Sequence, residues 1–396
     1  MASLATARID ELIGGKKVFS QLLSDIQELA PQIRDRSAEM EVSGRIPTDL
    51  IESLKSIGVF RMFVPRSHGG SELNFIDGMK VIQALSRIDG SVGWTAGVSI
   101  GNGIFATFQH PDIYDRIYEN GPDVIFAGSI RAKGKAEATA NGWRLDGRWG
   151  FASACQHADW MAGAFVMCKD GVPLTGADGQ TLVRSCFLPA QDWQIHENWH
   201  VAGLKATGSH DIEIRNGLAT EEQLFDVFDP EFYKPGPRYS IPLVLLLVPA
   251  LFIGIAEGAV DEVVRLANSG RQQSMAATPM RDSEWFQGEL GRIEADLNAA
   301  RAYLQVRAAE QWRHALNGTL KMQPFLTETA QTSTWLGTTC VRIANECFAL
   351  AGSTAVYEAS PLQRRLGDLL VASQHGFSQQ RQYATAGKLL LDQSGE

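Results

Sequence analysis

Residues Gly147 to Trp160 read GRWGFASACQHADW, and further along Trp199 to Asp211 read WHVAGLKATGSHD. Both stretches combine Trp with small residues and hydroxyls, a composition suited to holding a flat aromatic ring against backbone. An apolar wall with a few placed polar groups is how such a ligand is gripped. The same composition also suits an ordinary β-core with aromatic filler, so these stretches take their meaning from what surrounds them.

Around them the hydrophobic period changes. From Asp123 to Phe225 apolar residues alternate. Asn141-Gly142 between AEATA and WRLDG predicts a hairpin with a type I′ turn. MAGAFVMC, TLVRSCFLP and DIEIRN read as further strands, with Asp178-Gly179 as another turn. Residues 1–122 read as helical. In PTDLIESLKSIGVF the apolar Leu50, Leu54 and Ile57 recur at helical spacing, with Thr48 as N-cap and Gly58 as stop. The next helix buries Phe75, Met79 and Ile82. After a turn at Asp89 to Ser91, the glycines of GWTAGVSIGNGIFATF permit close backbone approach, and Trp94 offers a large flat surface to a pocket or to the core. From Asp229 onward long helices return. Leu290, Ile293, Leu297, Ala300 and Leu304 form one apolar seam, and Leu336, Cys340, Ile343, Cys347 and Leu350 form another, the pattern of a helix bundle. Gly352 ends one helix. Ser360-Pro361-Leu362-Gln363 opens the next with a capping box and Pro at its first position, which puts His375 about four turns into that helix.

The expected architecture is mainly α with a central β-domain: an N-terminal helical domain (1–122), a small β-barrel or sandwich (123–228) and a C-terminal four-helix bundle (229–396). With 396 residues, 44% of them hydrophobic, the chain is long enough for several cores. A net charge of -9 argues against nucleic acid or an anionic membrane as partner. The five cysteines lack CxxC spacing and read as buried thiols in a reducing cytoplasm. The N-terminus has acidic residues early and no apolar signal region. Ile241 to Ala256, IPLVLLLVPALFIGIA, is interrupted by Pro242 and Pro249 and is shorter than the ~20 residues of a membrane span, so it reads as a buried helix.

His196-Glu197-Asn198-Trp199-His200 matches HExxH, whose two His bind zinc from one face of a helix. Here it lies between Pro189 and Gly203 in a strand-like region, so no metal site is expected. No GxGxxG follows a strand, and neither GxxxxGK[ST] nor GxSxG occurs, which leaves a Rossmann site, a P-loop and an acyl-transfer triad unsupported.

Several segments, in this order and spacing, carry a resemblance over nearly the whole chain. They are Asp89-Gly90-Ser91-Val92-Gly93-Trp94, Gly147 to Ser153 with His157-Ala158-Asp159-Trp160, Gly203 to Ser209, and Ser360 to Arg364 running on to Asp368 and His375. The chain resembles the acyl-CoA dehydrogenase superfamily and, within it, the oxygenase components of two-component group D flavin monooxygenases. That resemblance implies a reduced flavin, FAD preferred over FMN, supplied by a separate NAD(P)H-flavin reductase. With O2 it would form a C4a-hydroperoxide that hydroxylates a small indole-like or phenolic aromatic, in a cytoplasmic homotetramer. It implies Ser153 near flavin N5 and His375 over the C4a side as catalytic residues. Trp149, Phe151, Ala152, Ser153, Thr207 and Ser209 would hold the flavin, and Arg271 the phosphates of a neighbouring subunit's flavin. Trp94, Cys155 and His157 would face the substrate.

One segment departs from this picture. Val356-Tyr357-Glu358-Ala359-Ser360 resembles the stretch in which true acyl-CoA dehydrogenases carry the base that removes a substrate α-proton, so a dehydrogenase using Glu358 is the alternative. Against it, Phe126-Ala127-Gly128-Ser129-Ile130-Arg131 replaces the dehydrogenase flavin-and-substrate signature, and Trp149 to Ser153 stands where a Trp-Ile-Thr usually faces the flavin.

Overall fold

The computed structural model describes residues 2–176, 178–228 and 236–393; the expected boundary at Asp229 lies outside them. Six helices come first: α1 (Ala2–Asp35), α2 (Ser37–Ser43), α3 (Thr48–Ser56), α4 (Phe75–Ile88), α5 (Gly90–Ala106) and α6 (Pro111–Ile117). Pro47, not Thr48, occupies the cap of α3. Asn74 caps α4 by accepting the Asp77 N–H at 2.9 Å. The Asp89 carboxylate accepts the Ser91 and Val92 N–H groups, so α5 starts directly from the end of α4 and the expected turn at Asp89 is a helix cap.

The strands are β1 (Phe126–Thr139), β2 (Gly142–Trp149), β3 (Trp160–Lys169), β4 (Val172–Pro173), β5 (Val183–Pro189), β6 (Gln194–His196), β7 (Asp211–Ala219) and β8 (Leu224–Phe225). They form one mixed sheet in the order β6-β7-β2-β1-β3-β5-β8, with β4 paired to β3. All pairs are antiparallel except β1 with β3, which alternation alone could not reveal. The β1–β2 hairpin forms with Thr139 opposite Gly142. Only Gly142 has positive φ (121°) there, so the turn is not type I′, which needs positive φ at both central residues.

The remaining helices are α7 (Ile241–Val244), α8 (Leu247–Asn268), α9 (Glu284–Leu316), α10 (Met322–Ala351), α11 (Pro361–Ala372) and α12 (Gln382–Gln393). Ile293, Leu297, Ala300 and Leu304 of α9 are buried, as are Leu336, Cys340, Ile343, Cys347 and Leu350 of α10, so the two seams close on one core. The apolar run leading into α8 is buried inside the protein. Its close approach to α4 needs Gly254, where a Cβ would lie 2.3 Å from the Gln83 carbonyl oxygen. All five cysteines are free and buried.

Two local expectations change at the end of the chain. Ser360 and Pro361 do open α11, but the Ser360 side chain makes no capping hydrogen bond. The helix stops at Ala372, where Gln374 and His375 N–H groups donate to the Val371 and Ala372 carbonyls in tightened three-residue steps. His375 therefore lies beyond the helix, leading into a short 3₁₀ turn over Gly376–Ser378. That turn is tied to α10 by a 2.7 Å contact between the Ser378 and Ser333 hydroxyls.

Candidate active site

The two Trp-bearing stretches lie side by side. After β2, Phe151 and Ala154 adopt left-handed backbone (φ 65° and 70°), which costs each about 1 kcal/mol and folds the chain into a turn. That turn is zipped to the 204–210 loop: Ala152 N–H donates to the His210 carbonyl at 3.1 Å and Ala154 N–H to that of Thr207 at 3.0 Å. Between them the Ser153 and Ser209 hydroxyls meet at 2.6 Å. His210 Nδ1 accepts the backbone N–H groups of Asn198 and Trp199, each at 3.0 Å, and so holds Trp199 beside the turn. Trp199 meets Phe151 edge to face at 5.8 Å.

This turn forms one side of a cavity of about 730 Å³, within the usual range for a ligand site. α5 contributes Trp94, Gly97 and Asn102; the β-domain contributes Arg131, Phe151, Ser153 and Ser209; α8 supplies Leu247, Val248 and Leu251; and His375 and Phe377 come from beyond α11. Trp94 links these walls. Its Nε1–H donates to Ser153 Oγ at 3.1 Å, and its ring meets His375 edge to face at 6.0 Å. Burial, with Arg131 as a second cause, lowers the His375 imidazole to about 4, so it is neutral at physiological pH. Its Nδ1 is buried without a hydrogen-bond partner. Among the described residues no carboxylate lines the cavity, and its only guanidinium is that of Arg131, 5.7 Å from the Phe151 ring.

Of the residues the sequence put forward, Ser153, His375, Phe151, Ser209 and Trp94 line this cavity together. Trp149 does not. Its indole is fully buried in the β-domain core, edge to face with Phe165 and Trp193, and its Nε1–H donates to the Arg131 carbonyl at 2.9 Å. It thus supports the strand that carries Arg131 and faces no ligand. Ala152 is buried under the turn and Thr207 beneath Ser209, neither on the cavity wall. Cys155 points into the β-domain, its thiol donating to the Gly208 carbonyl at 3.2 Å and pushed up to about 12 by burial. His157 lies by Arg45 and Lys55, lowered to about 4 by burial and then by those two charges, away from the cavity. Arg271 is exposed in the loop after α8 and does not line the cavity. Glu358 is exposed in the turn before α11, likewise off the cavity. Of the HExxH match, His196 sits on strand β6 and bonds Glu213 at 2.7 Å, while His200 follows in irregular chain. The two are not presented by a helix, and no cluster of three metal-ligating side chains occurs among the described residues.

Arg131 was missed as a site residue. It lies where the β1–β3 register slips between Ser129 and Ala132, and an irregularity of that kind has no periodic signature in sequence. The cavity combines indole and phenyl walls, an aliphatic helix face, serine hydroxyls, and a buried imidazole nitrogen without a hydrogen-bond partner. It fits a tricyclic isoalloxazine ring, with volume left for a small aromatic.

Residues 24–110 match the family model for the acyl-CoA dehydrogenase N-terminal domain, and residues 246–380 match that for the C-terminal domain. Indole-3-acetate monooxygenase of Acinetobacter baumannii is 30% identical over 357 residues, 89% of this chain and 90% of that protein. The oxygenase subunit HsaA of a flavin-dependent monooxygenase from Rhodococcus jostii is 24% identical over 86% of this chain and 90% of its own length. Among solved structures, XiaF from a Streptomyces species, in complex with FADH2 and glycerol, superposes with a TM-score of 0.83. It is 22% identical, covering 93% of this chain and 94% of XiaF.

Proposed function

The chain belongs to the acyl-CoA dehydrogenase family, and we propose that it serves there as the oxygenase component of a two-component flavin-dependent monooxygenase, hydroxylating a small aromatic substrate. The observation that carries this reading is the cavity itself: a largely apolar space with an acceptor hydroxyl on one wall and a neutral imidazole on another, and no carboxylate among the described residues that line it. A reduced flavin bound there would supply the activation of O2, one oxygen passing to the aromatic ring and the other leaving as water.

This chain's residues supply the setting. Trp94 and Phe151 would hold the ring, Ser153 would accept a hydrogen bond from it, and the α8 face would exclude water that promotes peroxide release. His375, whose neutral ring carries one proton and meets the edge of Trp94, would assist oxygen transfer. Among the described residues Arg131 is the one fixed positive charge on the cavity wall, so the substrate we favour carries a carboxylate on a short arm, as the name indole-3-acetate monooxygenase says of that relative. We take the flavin to be FAD, delivered by a separate NAD(P)H-dependent reductase. Exposed apolar side chains on the bundle, Val306, Trp335 and Leu370 among them, support association of further copies, in our reading a homotetramer.

The dehydrogenase alternative needs a base against a substrate carbon. Glu358 is exposed outside the cavity, and the comparisons favour the monooxygenase. The test is to mix the protein with chemically reduced flavin, O2 and a panel of indole and phenol carboxylates. Hydroxylated product matched to oxygen uptake is expected. Reduction of bound oxidised flavin by an acyl-CoA, with no hydroxylation, would overturn the reading.

A further inference from the structure

Four polar side chains run in a line from the cavity wall into the protein. Trp94 Nε1 is 3.1 Å from Ser153 Oγ, Ser153 Oγ is 2.6 Å from Ser209 Oγ, Ser209 Oγ is 2.7 Å from Thr207 Oγ1, and Thr207 Oγ1 is 2.8 Å from the Leu204 carbonyl oxygen. All four side chains are at most 7% exposed.

The two ends fix the direction of every proton between them. An indole N–H can only donate, and a carbonyl oxygen can only accept. Thr207 must therefore donate to Leu204, which leaves its oxygen to accept from Ser209. Ser209, its proton spent on Thr207, must accept from Ser153. Ser153 in turn accepts from Trp94. The Leu204 end is held firmly, because the Leu204 N–H donates to the buried Asp368 carboxylate at 2.6 Å and the Leu204 carbonyl also accepts the Trp199 Nε1–H at 3.0 Å.

Ser153 and Ser209 both line the cavity, yet neither has a proton left for it. Each offers a lone pair only. Resting on the flavin reading above, we infer that this directed relay, with Thr207 as its positioning residue, makes the site discriminate between flavin redox states. Reduced flavin carries a hydrogen on N5 and can donate to an acceptor-only hydroxyl. Oxidised flavin has a lone pair on N5 and meets Ser153 lone pair to lone pair. The relay thus retains the reduced cofactor while it is needed and releases the oxidised product.

The relay makes a specific prediction for Thr207→Val, which keeps the shape but removes the hydroxyl. Ser209 then turns its proton to Ser153, Trp94 fills the other lone pair of Ser153, and the Ser153 proton is freed into the cavity. The group has changed from acceptor to donor. Dissociation constants for oxidised flavin, and for reduced flavin under anaerobic conditions, are measured by titration without substrate or O2. The wild type is expected to favour the reduced form. In Thr207→Val that preference should fall by about tenfold or more, chiefly through tighter binding of oxidised flavin. Thr207→Ser should keep it. Ser209→Ala frees the same Ser153 proton by another route and should lose the preference equally, so a folding defect in one variant leaves the test intact. Circular dichroism verifies the fold of each. An unchanged ratio in folded Thr207→Val or Ser209→Ala overturns the relay and leaves the flavin reading standing. Failure of the wild type to bind either form overturns the flavin reading, and this inference with it.

Discussion

Gly203→Ala is the change that tests how the site is held together. At this position the loop carrying Leu204, Thr207 and Ser209 crosses α11 backbone to backbone. An added Cβ would lie 2.1 Å from the carbonyl carbon and oxygen of Gly367 and 2.4 Å from the Asp368 nitrogen. None of these atoms can swing aside as a side-chain tip can, so the loop and the helix must part by about 1 Å or more to reach van der Waals contact. The adjacent hydrogen bond from Leu204 N–H to the Asp368 carboxylate does not survive that separation, and Asp368 is 1% exposed. Losing a buried bond to a carboxylate costs about 1.5–3 kcal/mol, and overpacking adds about 1–3 kcal/mol. A destabilisation of about 2.5–6 kcal/mol follows, read as a lower urea midpoint. Flavin affinity should fall with it, because the moved loop carries the inner end of the Ser153 relay. Gly288→Ala on α9 is the control: nothing lies within 4 Å of its Cβ, and helix propensity favours Ala by up to about 1 kcal/mol. A Gly203→Ala protein with the wild-type midpoint and wild-type flavin affinity would refute the argument.

Ser153→Ala and His375→Ala should raise peroxide released per product by roughly tenfold to a hundredfold with the fold intact, since each removes one hydrogen bond to a charge-developing group; unchanged coupling in both would take them out of the site. Arg131→Met should raise KM for aromatic carboxylates by about tenfold or more while sparing neutral aromatics, and an equal loss for both would assign Arg131 to the cofactor instead. His157 supplies the pH test. Its folded pKa of about 4 lies below the ordinary 6.5, so its stabilising contribution is complete above pH 6.5 and is lost as the pH falls toward 4, where the unfolded chain takes up a proton that the folded one resists. His157→Gln should therefore lose less of its urea midpoint between pH 7 and pH 5 than the wild type does; equal losses would refute the assignment.

What the sequence made legible follows from what periodicity can encode. The α9 and α10 seams and the alternation at the start of β7 are one-dimensional patterns that survive folding and were readable, whereas β3 and β5 are buried on both faces over most of their length and do not alternate. The run IPLVLLLVPALFIGIA was readable as a buried helix because two prolines cut it short, though nothing in it tells that Leu247, Val248 and Leu251 would form a cavity wall. Trp149 shows the opposite limit. Its composition neighbourhood is that of a ring-binding wall, yet the side chain alternates inward, because Trp149 pairs with Ile212 on the core side while the chain turns only at Phe151. The parallel β1–β3 pair and the bulge that presents Arg131 depend on which strands meet, and that is decided by tertiary packing. The break before His375 is of the same kind: Val371 to His375 contain no Pro or Gly, and the segment beyond the stop is held instead against another helix, where Ser378 meets Ser333.

The placement of Arg131 and His375 in one cavity has a consequence for timing. Burial is the larger cause of the low imidazole pKa, and the positive charge of Arg131 is the second. A substrate carboxylate paired with Arg131 cancels that second contribution, because the charge facing the imidazole becomes a neutral pair. If the substrate is the aromatic acid proposed above, the proton affinity of His375 should rise when it arrives, making the residue a better proton carrier with substrate in place than without it. On the proposed reading, carboxylate recognition and proton supply would be linked through a single guanidinium, in a cavity where carbon-acid abstraction finds no carboxylate among the described residues.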